Sequence, residues 1–502
     1  MKMKQIMILV LLIALMKMDY KLKNWRLTMN KKGLIIIILA IISFALLGYY
    51  FISNIMNRMF INDPNINVSE LQKLPIPALL EDENPDENIS DFYLNVQQGK
   101  TYFFKELATT TLGYNSNFLG PVIKVKRGQL VNMHVQNDLA VSTSVHWHGL
   151  EVPGEQDGGP HQKILAGSTW NPSFMIDQPA STLWFHPHVM GTTATQVYYG
   201  LAGLLIIEDE NSLALNLPNE YGVNDFPLII QDRSFKSDGS FLYNDTMMDG
   251  VVGDYIIVNG AITPYLDVNQ VKMRFRIVNG ANASNFNLKL SNNNSFFQIA
   301  SDGGLLESPI EMTRLFISPG ERAEIIIDFS KYQSNDKVVL LSGGQVVMTF
   351  NIKDKVQDLS ELPTTLSIIE RLDVNQATAL KTIRLDGMGH MVTINGKQFD
   401  MDRIDDNVNQ YDTQIWEISA PRQMMMGGEG HPFHIHGTQF QILSRNGREP
   451  NANEMGWKDT VFVNSGETVR IIVQFKHKGI FMYHCHILEH EEAGMMGQLI
   501  VN

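Results

Sequence analysis

Two stretches of this chain repeat one another, and the repeat carries paired histidines. The first copy holds His146-Trp147-His148-Gly149, then Phe185-His186-Pro187-His188, then the run GLAGLLIIE at 200–208. The second holds His434-Ile435-His436-Gly437, then Tyr483-His484-Cys485-His486, then GMMGQLIV at 494–501. Alternate side chains on a strand face opposite ways, so a His-x-His pair aims both imidazoles at one face. Four such pairs give eight imidazoles, and these can converge only where the two copies meet. A chain of this kind must fold as β-rich units with a shared site between the first and the last.

Pro187 stands in the first copy where Cys485 stands in the second. Cys485 is the only cysteine of 502 residues. His490 and Met495 follow it closely, and His431 precedes the other pair. Thiolate, imidazole and thioether form a soft donor set that suits copper; two His, one Cys and a weak axial Met make a blue-copper electron-transfer centre. Cys485 faces one side of its strand while His484 and His486 face the other, which gives electrons a short covalent path between two metal sites. Eight imidazoles can hold three further coppers. Of the remaining histidines, His134, His161, His390 and His477, only His390 stands apart, because Met388 and Met391 flank it.

Length predicts about three domains. Expected strands include 121–126 and 131–135 in the first, 226–230 and 322–327 in the middle. No histidine occurs between His188 and His390, so the middle segment carries no copper of this kind and reads as a spacer. The divisions expected are 1–60 for a cytoplasmic N-terminus and membrane anchor or signal, 61–85 for a linker, and 86–210, 222–356 and 378–502 for three domains. A net charge of −13 argues against a nucleic-acid partner. One cysteine permits no internal disulfide, which leaves the compartment open.

The motifs resemble those of the multicopper oxidases, the family of laccases, bilirubin oxidase, ceruloplasmin and the bacterial copper efflux oxidase, a periplasmic cuprous oxidase. The stretches that carry the likeness are HWHGLEVPGEQDGGP (146–160), GLAGLLIIED (200–209), ASDGGLL (300–306), HPFHIHGTQFQIL (431–443), GWKDT (456–460) and HCHILEHEEAGMM (484–496). The resemblance runs from about Leu119 to Asn502 and omits the first sixty residues. It implies an all-β fold of three consecutive cupredoxin-like Greek-key sandwiches or barrels. It implies four copper ions. His431, Cys485, His490 and axial Met495 would hold type 1 copper, and His146 and His434 type 2. His148, His186, His188, His436, His484 and His486 would hold the type 3 pair. Asp157 matches an acid near the trinuclear cluster, and Glu491 one that delivers protons to oxygen.

Ahead of these domains lies an apolar run at 34–52, long enough as a helix to span roughly 28 Å, about one bilayer core. Lys17, Lys21, Lys23, Arg26, Lys31 and Lys32 precede it, which places the bulk of the chain outside the cytoplasm, on the periplasmic side of the cell envelope. No small-x-small cleavage site follows, so an uncleaved transmembrane anchor is expected. The earlier apolar run at 6–16 is too short to span, and Met29 looks like a natural start. No Arg-Arg pair precedes the span, which points to Sec export.

The donor is less constrained. Met424, Met425 and Met426, just before His431, form a candidate landing site for cuprous ion, with Glu429 as a candidate acid. The long Met/His-rich insert of the copper efflux oxidase is absent; Met388-Gly389-His390-Met391 stands in its place. The expected function is oxidation of Cu(I) or Fe(II), for metal tolerance or iron handling, coupled to reduction of dioxygen to water. The alternative is laccase-like oxidation of phenols or tetrapyrroles. A non-catalytic cupredoxin protein is remote, because every copper ligand is present.

Overall fold

The structure is a computed structural model that describes residues 72–245, 249–422 and 430–502. The apolar run at 34–52 and the candidate residues Met424, Met425, Met426 and Glu429 lie outside these. No helix among the described residues is long and apolar enough to cross a membrane.

Six sheets stack in three pairs, each pair closed over one apolar core. In the first pair, one sheet runs Leu107–Tyr114, Ile89–Phe104, Leu130–Asn137, Thr169–Trp170. The other runs Val122–Lys126, Gly203–Glu208, Ser181–His186, His146–His148. Alternation builds the core: Phe92, Leu94 and Val96 point inward from one strand, and Val131, Met133 and Val135 from its neighbour. Each such side chain contributes about 1.5–3 kcal/mol on burial. The stretches expected as strands are strands, with Arg322–Asp328 and Asp225–Arg233 central in a seven-stranded middle sheet.

Each pair contains the same parallel pairings, which require long crossovers. Ile89–Phe104 lies parallel to Leu130–Asn137, Asp225–Arg233 to Lys272–Asn279, and Ala377–Asp386 to Thr413–Ala420. The copies also agree in register. His146 pairs with His186 in the first, and His434 with His484 in the last. The middle pair packs on the first through Trp184, Leu204 and Ile206 against Ile229 and Val278. Leu74, within the stretch expected as a linker, is buried in the middle core.

Candidate metal centre

Register brings the eight imidazoles of the four His-x-His pairs together, and all are buried. Ring nitrogens within 4.8 Å of one another form three sets: His148 with His186 and His486, His188 with His436 and His484, and His146 with His148 and His434. Two stacks tie the copies face to face. His146 lies 3.7 Å from His436 between ring centroids, and His148 lies 3.7 Å from His434. Each stack takes one ring from each copy.

The rings are aimed by what stands behind them. His146 Nδ1 donates to the Asp157 carbonyl at 3.0 Å, His434 Nδ1 to the Asp459 carbonyl at 2.9 Å, and His484 Nδ1 to the Cys485 carbonyl at 3.0 Å. His186 Nδ1 donates to the Pro187 carbonyl at 2.9 Å. A carbonyl only accepts, so the opposite nitrogen, Nε2, is left with a lone pair for a metal. His436 Nδ1 meets Asp157 Oδ2 at 2.8 Å. His148 is turned the other way, with Nε2 at 3.1 Å from Asp459 Oδ1 and Nδ1 at 3.4 Å from His186 Nε2. Burial, the largest cause, lowers the affinity of these imidazoles for protons; His148, His186, His188, His436, His484 and His486 all fall well below the ordinary range. They are neutral at pH 7 and available as ligands.

Glycine makes the approach possible at Gly158. Its φ is +79°, and a Cβ there would sit 1.7 Å from the Val145 carbonyl oxygen. Only glycine takes that turn without strain, and the turn carries Asp157 to His146 and His436. Glu491 lies on the far side, buried, with its oxygens 3.4 Å from His188 Nδ1 and 3.3 Å from His484 Nδ1. Burial first, then the neighbouring Glu492, raises its carboxyl well above the usual range.

A second centre sits on the opposite face of the same strand. Cys485 Sγ is 3.6 Å from His431 Nδ1 and 3.8 Å from His490 Nδ1, and the Ile487 amide donates to the sulfur at 3.5 Å. Burial, with His490 beside it, pushes His431 down to about 3. Met495 is fully buried in the same core as Cys485, and its backbone joins both Cys485 and His490. His431, Cys485 and His490 are therefore brought together, with Met495 in the same core as Cys485.

The donor sets fit copper. His146 Nε2 and His434 Nε2 are buried with no hydrogen-bond partner, a costly arrangement unless an ion takes the lone pairs. Burial raises the Cys485 thiol, so a thiolate there needs a cation to hold it. Three residues near these centres are not singled out by sequence. Asp459 touches His148 and His434, and its only signal is its place in GWKDT. Arg322 pairs with Asp459. Asp249 lines the space beside His431 and His490 together with Met388. His390 and Met391 are exposed instead.

An all-β chain with a sulfur-and-imidazole centre wired by one strand to a multi-imidazole centre is a copper oxidoreductase that uses dioxygen. Family models described as multicopper oxidase match residues 95–212, 214–356 and 366–502. The chain belongs to the multicopper oxidase family. It is 43% identical to the multicopper oxidase mco of Staphylococcus haemolyticus, over 85% of this chain and 91% of that one. A laccase from Pediococcus acidilactici superposes with a TM-score of 0.84 at 42% identity, covering 86% of this chain and 94% of its own. A multicopper oxidase from Campylobacter jejuni, described as a metallo-oxidase, superposes with a TM-score of 0.75 at 30% identity, covering 86% and 95%.

Proposed function

We propose that the protein couples one-electron oxidation of a reduced metal ion, Cu(I) or Fe(II), to four-electron reduction of dioxygen to water. One observation carries the choice of donor. A cavity of about 20 Å³ outside His431 and His490 is lined also by Asp249 and Met388. A carboxylate and a thioether beside two imidazole edges suit a soft or borderline cation. Apart from the two imidazoles, the described lining offers no aromatic ring on which a phenol could stack.

In this reading His431, Cys485, His490 and Met495 would hold type 1 copper. His146 and His434 would hold type 2; His148, His186, His188, His436, His484 and His486 would hold the type 3 pair. When bound, copper supplies the one-electron steps that no side chain here can. The protein does the rest. Cys485 is joined to His484 and to His486 by one peptide link each, which would give electrons a short covalent path from one centre to the other. Glu491, whose protonated form burial favours, would hold a proton beside His188 and His484. Asp157 orients His146 and His436.

Steady-state kinetics with Cu(I), Fe(II) and a phenol, on the same preparations of wild type, Asp249→Asn and Met388→Leu, test the donor. The metal-ion kcat/KM is expected to fall about tenfold, roughly 1.4 kcal/mol, with phenol oxidation unchanged. A loss confined to the phenol would favour the second reading, laccase-like oxidation of phenols or tetrapyrroles. That reading draws support from the 42%-identical protein described as a laccase. The lysines ahead of the apolar run support a catalytic part outside the cytoplasm.

A further inference from the structure

The eight-imidazole site is built by the first and last sheet pairs, yet the middle pair reaches it too. Arg322 begins the middle strand Arg322–Asp328 and is fully buried. Its NH1 donates to Asp459 Oδ1 at 2.6 Å, and its NH2 to Asp459 Oδ2. Its Nε donates to the Thr182 carbonyl at 3.2 Å, on the first pair's strand Ser181–His186. NH1 and NH2 also donate to the carbonyls of Gly320 and Asp302, both in the middle segment, at 3.0 and 3.1 Å. One guanidinium thus touches all three parts of the chain.

The contact that matters is the one Asp459 passes on. Five imidazoles turn Nδ1 away from the cluster, toward backbone carbonyls or Asp157. His148 instead presents Nδ1 toward another ligand nitrogen, with Nε2 behind it. For Nδ1 to offer a lone pair, Nε2 must carry the proton, and an acceptor must stand behind it. Asp459 Oδ1 stands there at 3.1 Å, with Thr460 Oγ1 at 3.2 Å. A carboxylate with no exposure needs a fixed counter-charge, and the bidentate fork of Arg322 supplies it.

Two glycines show that the fold makes room for this approach. A Cβ on Gly149, directly after His148, would sit 2.5 Å from Asp459 Oδ2 and 2.6 Å from Arg322 NH2. A Cβ on Gly320, two residues before Arg322, would sit 2.8 Å from the His486 ring. Both glycines have positive φ, +89° and +85°, so side chains are excluded there twice over.

We propose that Arg322 is a positioning residue for the trinuclear site: by fixing Asp459 as the acceptor behind His148 it sets the Nε2–H tautomer and presents Nδ1 to the metal. The middle domain is then a working part of the metal centre, although it lends no ligand. The inference rests on the ligand assignment of the proposed function.

Three variants, Asp459→Asn, Arg322→Lys and Arg322→Met, test it, with His148→Ala as a control. In Asp459→Asn, Arg322 claims the amide oxygen and the amide NH2 faces His148, which favours the wrong tautomer. Nitrogen-15 NMR of histidine-labelled, copper-free protein should show His148 as Nε2–H in wild type and shifted toward Nδ1–H in this variant. Copper affinity at the cluster or the dioxygen half-reaction should fall about 10–100-fold, while the blue absorption and donor oxidation stay at wild-type levels. Arg322→Lys keeps one donor to Asp459 and should recover part of what Arg322→Met loses. If Arg322 only joins domains, Arg322→Met lowers Tm but leaves the His148 tautomer and the dioxygen half-reaction per bound copper unchanged, and the proposal is overturned. An Nδ1–H His148 in wild type overturns it as well. Should Arg322→Met fail to fold, Asp459→Asn and Arg322→Lys decide alone. Wild-type copper content in His148→Ala would instead refute the ligand assignment itself.

Discussion

Replacing Glu491 by Gln separates the two halves of the reaction. The carboxyl lies 3.4 Å from His188 Nδ1 and 3.3 Å from His484 Nδ1, with no exposure worth counting. Burial, then Glu492, raises its carboxyl well above the usual range and so favours the protonated form, which the neutral amide matches in charge as well as shape. Stability should move by no more than about 1 kcal/mol, a Tm change of about 2 °C or less in a chain this long. What the amide cannot do is give up a proton. Positioned acids contribute about 10²–10⁴-fold. A cluster that still exchanges protons with water would sit at the lower end, near 10²-fold or about 2.7 kcal/mol of barrier. Stopped-flow spectroscopy reads both steps: anaerobic bleaching of the blue band by donor, then its return on mixing with dioxygen. The first should keep its rate and the second should fall about a hundredfold. Equal slowing of both steps, or a loss of copper, would refute a proton role for Glu491.

Other consequences follow from the same geometry. Cys485→Ser should abolish the intense blue absorption and leave the cluster copper bound, because its sulfur serves only one of the centres; absorption spectra with copper analysis check this, and a surviving blue band would contradict it. Gly158→Ala drives a Cβ into the Val145 carbonyl at 1.7 Å and should cost more than about 3 kcal/mol, seen as a large drop in Tm together with weakened cluster copper; near-wild-type melting would show that the turn can relax. In the copper-free protein, burial holds His148, His186, His188, His434, His436, His484 and His486 below their ordinary range and His431 at about 3. The unfolded chain then binds more protons below about pH 6.5, so stability present at neutral pH is lost as pH falls, by up to ~1.4 kcal/mol per pH unit for each group. Melting of the copper-free protein at pH 7.5 and 5.5 should differ by several degrees, and a flat Tm would count against buried neutral imidazoles.

Sequence shows the candidate ligands because their pattern is local. A His-x-His pair and a cysteine set between two histidines are legible within three residues, and the repeat shows that the two copies must meet. The strands 122–126 and 130–137 are legible from alternation. Asp459 and Arg322 are not, because their meaning depends on contacts 311 and 137 residues apart in the chain, and one Asp or one Arg has no period to detect. The middle segment reads as a spacer for the same reason: it lacks histidine, while its contribution is a guanidinium, a glycine and the Asp249 carboxylate. In the sequence Met388 matters only as a neighbour of His390, yet it is Met388 that lines the space beside His431.

The two metal centres differ in how much of the chain must be folded before either can exist. Cys485 meets His431 across 54 residues, and His490 across five. His188 meets His484 across 296 residues, and His148 meets Asp459 across 311. Closing the longer loop costs little extra free energy, since that term grows only as a logarithm, but contacts so distant in sequence form slowly. In refolding with copper present, blue colour should therefore return as soon as the last sheet pair is formed. Capacity to reduce dioxygen should lag behind it until the first pair has docked. Colour would report one folded part, and activity the finished assembly.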